Sequence, residues 1–555
     1  MSREANETSG LSDEVERIVR QFDIDHGHVR KLTEHFVAHM KNALAGSGPS
    51  QIPSYVTKVP DGTEKGLFLA VDLGGTNCRV CAVELHGNSS YTIEQSKYPV
   101  PFEVRVNPSY KPLFGFVAQK IGDFLDHHPE LDVDEIDKDH RGFSQSEETL
   151  GKTRRKLGFT FSFTCHQDSL LRGTLLHWDK GWDIPEALGK DPCQMLQEAI
   201  DTLNLPITVT ALANDSVGTL MTRAYSSPEK SSTLMGAIFG TGTNAAYIEK
   251  LSNVSRLHHK AEFKNHAPED LMVINTEWGS FDDDLTVLPT TSFDKTLDAN
   301  SPDPGMQMLE KRVSGLYLGE LLRLVIVSLL ETSRLDMIVE PNTSLFERES
   351  IDSSFLSRLA ADHSKDLEDS ISLMRSNFQT ESVSVGDARA IHTLADAISK
   401  RAARLSGAAI AAVIEQSGRL YPSWTTTHGN QRISDIKVQE QILKPLDTQT
   451  RNTSFSKFCD RLFLLLRRIM RILGFSTSNS LAPSVVADDD SNSIGEGIID
   501  IGVDGSLIEY HPSFKAEIQS TLRDIFGADE KRVRIEPARD GSGVGAALMA
   551  QSATI

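Results

Sequence analysis

Two stretches decide the fold: LFLAVDLGGTN (67–77) and LMGAIFGTGTN (234–244). Each opens on a short apolar run that stops at glycine, the pattern of a buried strand entering a tight turn. Each turns through glycines, Gly74-Gly75 in one and Gly240-Thr241-Gly242 in the other, and both then read Thr-Asn, as Thr76-Asn77 and Thr243-Asn244. One glycine turn after a strand is commonplace. A strand, a glycine turn and Thr-Asn occurring twice predicts two related lobes, each offering backbone N–H groups to the same anion.

Working outward, LGFTFSF (157–163), ITVTALAND (207–215) and GIIDIGVDGS (497–506) read as further strands that end in polar residues. Helical periodicity covers 26–44, then 306–331 with a break expected at Gly315, then 389–418. DGSGVGAALMA (540–550) reads as a glycine turn opening a last helix. Strands alternating with helices predict an α/β architecture with ligands at the carboxyl ends of the strands. Residues 1–11 read as a polar, disordered arm, Ser12 as the cap of a first helix, and 47–66 as connecting loop. The stretch 419–496 changes texture, with many Ser, Thr, Asn and Gln around one basic apolar island.

Composition narrows the function. The 555 residues carry 57 Lys+Arg against 77 Asp+Glu, a net charge of −20, and a surface of that sign repels nucleic-acid backbones. Five cysteines are too few for a disulfide scaffold and favour a reducing compartment. The opening MSREANETSGLSDEVER has no apolar signal core, and no run is apolar and long enough to span a bilayer. A cytoplasmic protein is expected. Cys78 and Cys81 form a lone C-x-x-C whose strand spacing sends the two side chains to opposite faces, which favours core over metal or redox chemistry.

Four glycine turns can approach phosphates: DLGGTN (72–77), FGTGTN (239–244), VDGS (503–506) and DGSGVG (540–545). No P-loop sequence is present. Asp72, at a strand end, is placed to hold hydrated Mg²⁺ beside a nucleotide's phosphates.

These motifs resemble the hexokinase family, of the fungal hexokinase and glucokinase kind. The first phosphate motif stands as Asp72-Leu-Gly-Gly-Thr-Asn-Cys-Arg79, and the sugar-binding motif as LGFTFSF with Ser162. Then come Trp178-Asp179-Lys180-Gly181-Trp182, Asn214-Asp215-Ser216-Val217-Gly218-Thr219, GTGTNA (240–245), INTEWGSF (274–281), GMQMLEK (305–311), VDGSLIEYHPSF (503–514) and GSGVGAA (541–547). They keep family order from 67 to 547. The resemblance implies an actin-like ATPase (ribonuclease H-like) fold of two lobes with a ligand cleft between them. The large lobe would take 12–66 and 214–540 with 419–496 inserted, and the small lobe 67–213 and 541–555.

It also implies a phosphotransferase that moves the γ-phosphoryl group of ATP to the 6-hydroxyl of a hexose. Paired carboxylates and amides suit sugar hydroxyls because each can bond two of them. Asn214, Asn244, Glu277 and Glu310 would form that set, with Ser162, Asp179 and Lys180 facing them. Asp215 would accept the 6-hydroxyl proton and Lys180 would act beside it. The ATP side would use Asp72 (through water, to Mg²⁺), Gly74, Gly75, Thr76, Asn77, Arg79, Lys97, Gly240, Thr241, Gly242, Asp504, Gly505 and Ser506.

Two departures stand out, one in the sugar loop and one in the insertion. Asp179 replaces the family's threonine, and Thr164 its proline. A second negative charge ~6 Å from the reacting centre, at an effective dielectric of ~20, costs on the order of 2–3 kcal/mol before Lys180 compensates. This leaves open a second reading, a hexokinase-like regulator that turns over little. The other departure is the insertion. Its KFCDRLFLLLRRIMRILGF (457–475) sets Lys457, Asp460, Arg461, Arg467, Arg468 and Arg471 at helical intervals, a basic amphipathic helix suited to an anionic membrane, a partner, or packing on the large lobe.

Overall fold

The computed structural model describes residues 2–46, 48–131, 154–178, 181–228, 232–265, 267, 269–420 and 497–553. Thirteen strands lie among them: β1 (Ile52–Pro53), β2 (Lys65–Leu73), β3 (Asn77–His86), β4 (Tyr91–Pro99), β5 (Arg155–Phe161), β6 (Cys165–Gln167), β7 (Gly173–Leu175), β8 (Ile207–Ala213), β9 (Thr233–Phe239), β10 (Thr243–Lys250), β11 (Leu271–Asn275), β12 (Ile499–Asp504) and β13 (Val533–Pro537). One sheet has the order β4-β3-β2-β5-β8; the other runs β11-β10-β9-β12-β13, with β1 added beside β11.

Those orders are the same. In each sheet the first three strands form an antiparallel meander, and the next two add in parallel on the far side of the first. The duplicated sequence motif is the first hairpin of each sheet. Gly74 N–H bonds Asn77 O at 3.0 Å across one turn, and Gly240 N–H bonds Gly242 O at 3.0 Å across the other. The fold is the actin-like ATPase fold.

Two close approaches need glycine. A Cβ on Gly545, in the terminal helix Gly541–Ser552, would lie 2.1 Å from Gly218 Cα in the helix Asp215–Ser226, so these helices meet backbone to backbone. A Cβ on Gly505 would lie 2.5 Å from the Phe239 carbonyl carbon, and Gly505 has φ +112, open to glycine and strained for other residues. The β12 turn is thereby pressed against the β9 turn.

The 33-residue helix Val385–Ser417 is the spine of the large lobe. Ser384 and Asp387 close a capping box at its start, and Gly418 at φ 67 ends it. Its alanines let the helices His26–Ala45 and Phe514–Phe526 pack closely. Arg401 makes two 2.8 Å bonds to Asp294 in this interior, and Arg223 and Arg534 converge on Asp500. By contrast, the small-lobe core between the β2 sheet and the helices Lys111–His127 and Pro192–Thr202 is apolar. Cys78 and Cys81 are buried in different clusters on opposite sheet faces. Burial pushes both thiols up, Cys81 to about 12, so each is an inert core residue.

Three expectations are corrected. The first helix runs Ser2–Phe22, so the backbone read as a disordered arm is helical and Ser12 lies inside the helix instead of capping it. The long helical pattern breaks at Ser314, whose ψ of 150 separates Glu310–Val313 from Gly315–Glu331. The insertion also starts later than 419. Leu420 is buried, and Arg419 bonds Thr233 O at 2.9 Å. Arg532 ties the two ends of the body together, donating to Leu420 O at 2.7 Å and to Gly497 O at 2.8 Å. Residues 421–496, with the basic stretch 457–475, lie outside the described residues. No described helix is long and apolar enough to cross a membrane.

Candidate active site

The site grows from strand ends. β8 stops at Ala213, and Asn214 caps the helix that follows: its Oδ1 accepts from Ser216 N at 2.9 Å and from Ser216 Oγ at 2.6 Å. Asp215 is therefore the first helical residue, at the positive end of the helix. Ser162, just past β5, donates from Oγ to Asp215 Oδ2 at 3.5 Å, and its N–H bonds Leu73 O at 3.3 Å. One serine thus touches Asp215 on one side and the first phosphate strand on the other.

Asn244, on β10, is the hub of the opposite wall. Its Nδ2 reaches Asn275 Oδ1 at 2.9 Å, Asn214 Oδ1 at 3.3 Å and Glu277 Oε1 at 3.3 Å. Its Oδ1 accepts from Ala245 N and Thr276 Oγ1, which fixes the amide's orientation. Glu277 has left-handed backbone, φ 48 and ψ 45, uncommon for a non-glycine residue and typical of sites that hold a side chain against its preference. Glu310 opens a short helix and accepts from Thr243 N at 3.3 Å. The structure brings Asn214, Asp215, Asn244, Glu277 and Glu310 into one neighbourhood.

Asn275 belongs with them and was missed: its Nδ2 donates to Glu277 Oε1 at 2.7 Å. Asn275 is the last residue of β11 and Glu277 lies beyond the strand in left-handed backbone, so strand alternation alone does not pair them.

Asp179 and Lys180 lie outside the described residues. Their flanks are firmly held. Trp178 and Trp182 are buried and stacked at 5.4 Å, and Trp182 Nε1 donates to Gly75 O at 2.7 Å. Trp182 is thus pinned to the glycine turn at 74–75. Thr164, at the departure from the family's proline, accepts through its carbonyl from Leu176 N at 2.9 Å and leads into the β6–β7 hairpin.

On the other side, Asp72 ends β2 and is buried. Arg79 donates to its Oδ2 from Nη2 at 2.6 Å and from Nε at 3.1 Å. Burial alone would lower the Arg79 pKa, but the Asp72 charge and hydrogen bonds outweigh it and hold the guanidinium above its ordinary value. Lys97 sits across from Arg79 on β4 and is exposed. Of the first turn, Gly74, Gly75 and Asn77 are half-buried and Thr76 is exposed. In the second turn, Gly240 O and Thr241 O accept from Gly315 N (2.8 Å) and Leu316 N (3.1 Å), while Gly242 lies against Glu310. Asp504 ends β12, and Gly505 and Ser506 follow it; Asp504 accepts from Gly505 N at 2.7 Å. Burial, with help from Asp540 and Glu509, raises Asp504 above the usual carboxylate range despite Gly505 and Arg79.

A buried carboxylate at the head of a glycine turn and paired with an arginine, together with an amide–carboxylate cluster and a helix-start aspartate, fits a phosphotransferase of the actin-like ATPase fold. The comparisons carry this to a family. Models of the Hexokinase family match residues 14–225 and 234–552. The chain is 38% identical to a glucokinase of Aspergillus niger, over 98% of this chain and 97% of that protein. It is 32% identical to Hexokinase-1 of Saccharomyces cerevisiae, over 97% of this chain and 92% of the other. The solved structure of a hexokinase from Schistosoma mansoni complexed with glucose superposes with a TM-score of 0.71 at 30% identity, covering 98% of this chain and 99% of that one. The chain belongs to the hexokinase family.

Proposed function

We propose that this protein transfers the γ-phosphoryl group of ATP to the 6-hydroxyl of a hexose, glucose foremost. The observation that carries the reading is the placement of Asp215. It begins a helix one residue after Asn214, accepts from Ser162 at the end of the neighbouring strand β5, and borders the amide–carboxylate cluster carried by the other sheet.

Asn214, Asn244, Asn275, Glu277 and Glu310 bind the sugar hydroxyls. Each carboxylate and amide takes two partners, so a sugar replaces the present mutual bonds without leaving buried groups unpaired. Asp215 accepts the 6-hydroxyl proton as the oxygen attacks phosphorus. Ser162, Asp179 and Lys180 hold the sugar from the small lobe, with Lys180 offsetting negative charge at the point of transfer. Phosphoryl transfer otherwise needs positioning and charge neutralisation, supplied by Arg79, Lys97 and the turns at 74–77, 240–242 and 504–506.

The donor set fits Mg²⁺. Among the described residues no cluster of three or more His, Cys, Asp or Glu is arranged to hold a metal. Asp72 is one buried carboxylate beside phosphate-binding turns, which suits an ion that keeps most of its waters and takes the rest of its ligands from phosphates. Bound there, Mg²⁺ would neutralise phosphate charge.

The acidic composition and sparse cysteines support a cytoplasmic setting. The stretch 457–475 is read as a docking element for an anionic membrane or a partner. If so, replacing 421–496 by a short linker preserves the melting temperature and changes only association; a large fall in melting temperature contradicts it. The activity itself is tested by ADP release from purified protein with ATP, Mg²⁺ and glucose, fructose, mannose or N-acetylglucosamine. Sugar-dependent ADP, greatest with glucose, is expected. Sugar binding without ADP release would favour the regulator.

A further inference from the structure

We propose that Ser542, on the terminal helix, is a positioning residue that decides which oxygen of Asp72 faces the nucleotide's metal. The proposal rests on the reading of Asp72 as the carboxylate that holds hydrated Mg²⁺.

The geometry is one-sided. Among the described residues, every hydrogen bond to the Asp72 side chain lands on Oδ2: from Arg79 Nη2 at 2.6 Å, Arg79 Nε at 3.1 Å and Ser542 Oγ at 2.8 Å. Three donors crowd that oxygen, and Oδ1 is left to accept from metal-bound water. Ser542 also accepts from Arg79 Nη2 at 2.8 Å. The three groups form a closed ring in which the hydroxyl accepts a hydrogen bond from the guanidinium and donates its own to the carboxylate. Alanine supplies neither hydrogen bond, and a thiol makes both weakly. With Arg79 alone, the carboxylate can rotate about its last bond and present either oxygen to a guanidinium fork.

Ser542 has little freedom of its own. Its carbonyl accepts from Thr160 Oγ1 at 2.9 Å, on β5, and the Gly541 carbonyl accepts from Thr222 Oγ1 at 3.1 Å, on the helix that begins with Asp215. A Cβ at Gly541 would lie 2.7 Å from Thr219 Oγ1, and one at Gly158 would lie 2.0 Å from Ala546 O, so no slack exists on either side. The first turn of the terminal helix is wedged between the strand that leads to Ser162 and the helix that carries Asp215. Movement of either shifts the hydroxyl that aims Asp72. The metal side and the proton-accepting side of the reaction are thereby joined through one serine, 470 residues along the chain from the aspartate it orients.

The test uses ADP, which binds without turning over, titrated calorimetrically into full-length protein in excess Mg²⁺ and again in EDTA. Ser542→Ala is expected to weaken ADP binding about five- to tenfold in Mg²⁺ and less than twofold in EDTA, with glucose affinity unchanged. Ser542→Thr, which keeps the hydroxyl, restores the Mg²⁺-dependent affinity. Should the alanine variant fail to fold, Ser542→Cys, close to serine in volume and a weak donor, is expected to show the same selective loss. Equal weakening with and without Mg²⁺, or no weakening, overturns the proposal. Asp72→Asn separates the premise: it abolishes the difference between Mg²⁺ and EDTA if Asp72 serves the metal. If it abolishes that difference while Ser542→Ala keeps it, the role of Ser542 is wrong and the reading of Asp72 stands. If Asp72→Asn keeps the difference, that reading fails and the proposal with it.

Discussion

The hairpins β2–β3 and β9–β10 share a strand order, a glycine turn and a Thr-Asn pair, yet they occupy different chemistry. In the first, the strand end carries Asp72, locked to Arg79 and Ser542, while among the described residues the Asn77 side chain bonds its neighbour Thr76, at 2.8 Å. In the second, the strand ends in Phe239 and no carboxylate stands at that place, whereas Asn244 bonds Asn214, Asn275 and Glu277. A duplicated backbone supplies two equivalent turns, and different side chains surround them; the proposed function divides the work accordingly, metal and phosphate at one and sugar at the other. Symmetry of sequence motif by itself does not say which turn serves which ligand.

The largest effect expected is at the point where the two halves meet. Asp215→Ala should lower kcat about 10²–10⁴-fold, with glucose binding still measurable by calorimetry. Retention of most of the activity would remove Asp215 as the base.

The comparison itself breaks or holds at its two asparagines. Asn244→Ala strips a donor from Asn214, Asn275 and Glu277 together, and leaving such acceptors unmet costs about 1–3 kcal/mol. Its KM for glucose should rise about ten- to a hundredfold. Asn77→Ala, at the matching place, should move the glucose KM by less than about threefold and express any effect through ATP. Similar glucose effects at both positions would mean that the hairpins are not divided in this way.

Asp179→Thr should raise kcat/KM for glucose roughly tenfold or more, the direction expected when a negative charge is removed from the proposed sugar loop. Asp179→Asn separates the causes, since equal gains from both assign the effect to charge and a gain from threonine alone assigns it to shape.

The lobes differ also in how their interiors are held. The large lobe buries Arg401 against Asp294, and although burial alone would raise the carboxyl, the guanidinium's charge and hydrogen bonds bring it down to about 2, below its ordinary 3.8. A depressed carboxyl stabilises the fold above its unfolded value, and that share, about 2 kcal/mol, fades as pH falls from 4 to 2. Arg401→Met leaves Asp294 buried without its partner, at about 3–5 kcal/mol. The deficit measured by urea unfolding should be largest near neutrality and narrow below pH 4. A deficit that is constant with pH would show that packing, not the ion pair, sets it.

Much of this is legible in one dimension because neighbouring residues carry it. Short apolar runs that stop at glycine gave both hairpins, and Asn214-Asp215 could be placed because a strand end and a helix cap adjoin in sequence. Partners far apart along the chain were not legible. Nothing near Ser542 points to Asp72, and nothing near Arg532 announces that it binds both Leu420 and Gly497. Glu277's left-handed backbone has no residue signature, since glycine would be the usual sign. The helix from Ser2 was missed because polar residues carry no periodic apolar face there.

The central claim is that the 6-hydroxyl of a bound hexose gives up its proton to Asp215 as it attacks phosphorus. The most direct measurement follows the products by phosphorus and proton NMR, with ATP, Mg²⁺ and either glucose or 6-deoxyglucose. With glucose, one phosphate monoester at carbon 6 should appear for each ADP. 6-Deoxyglucose should compete with glucose and receive no phosphoryl group. A monoester at another carbon, or phosphorylation of 6-deoxyglucose, would contradict the account.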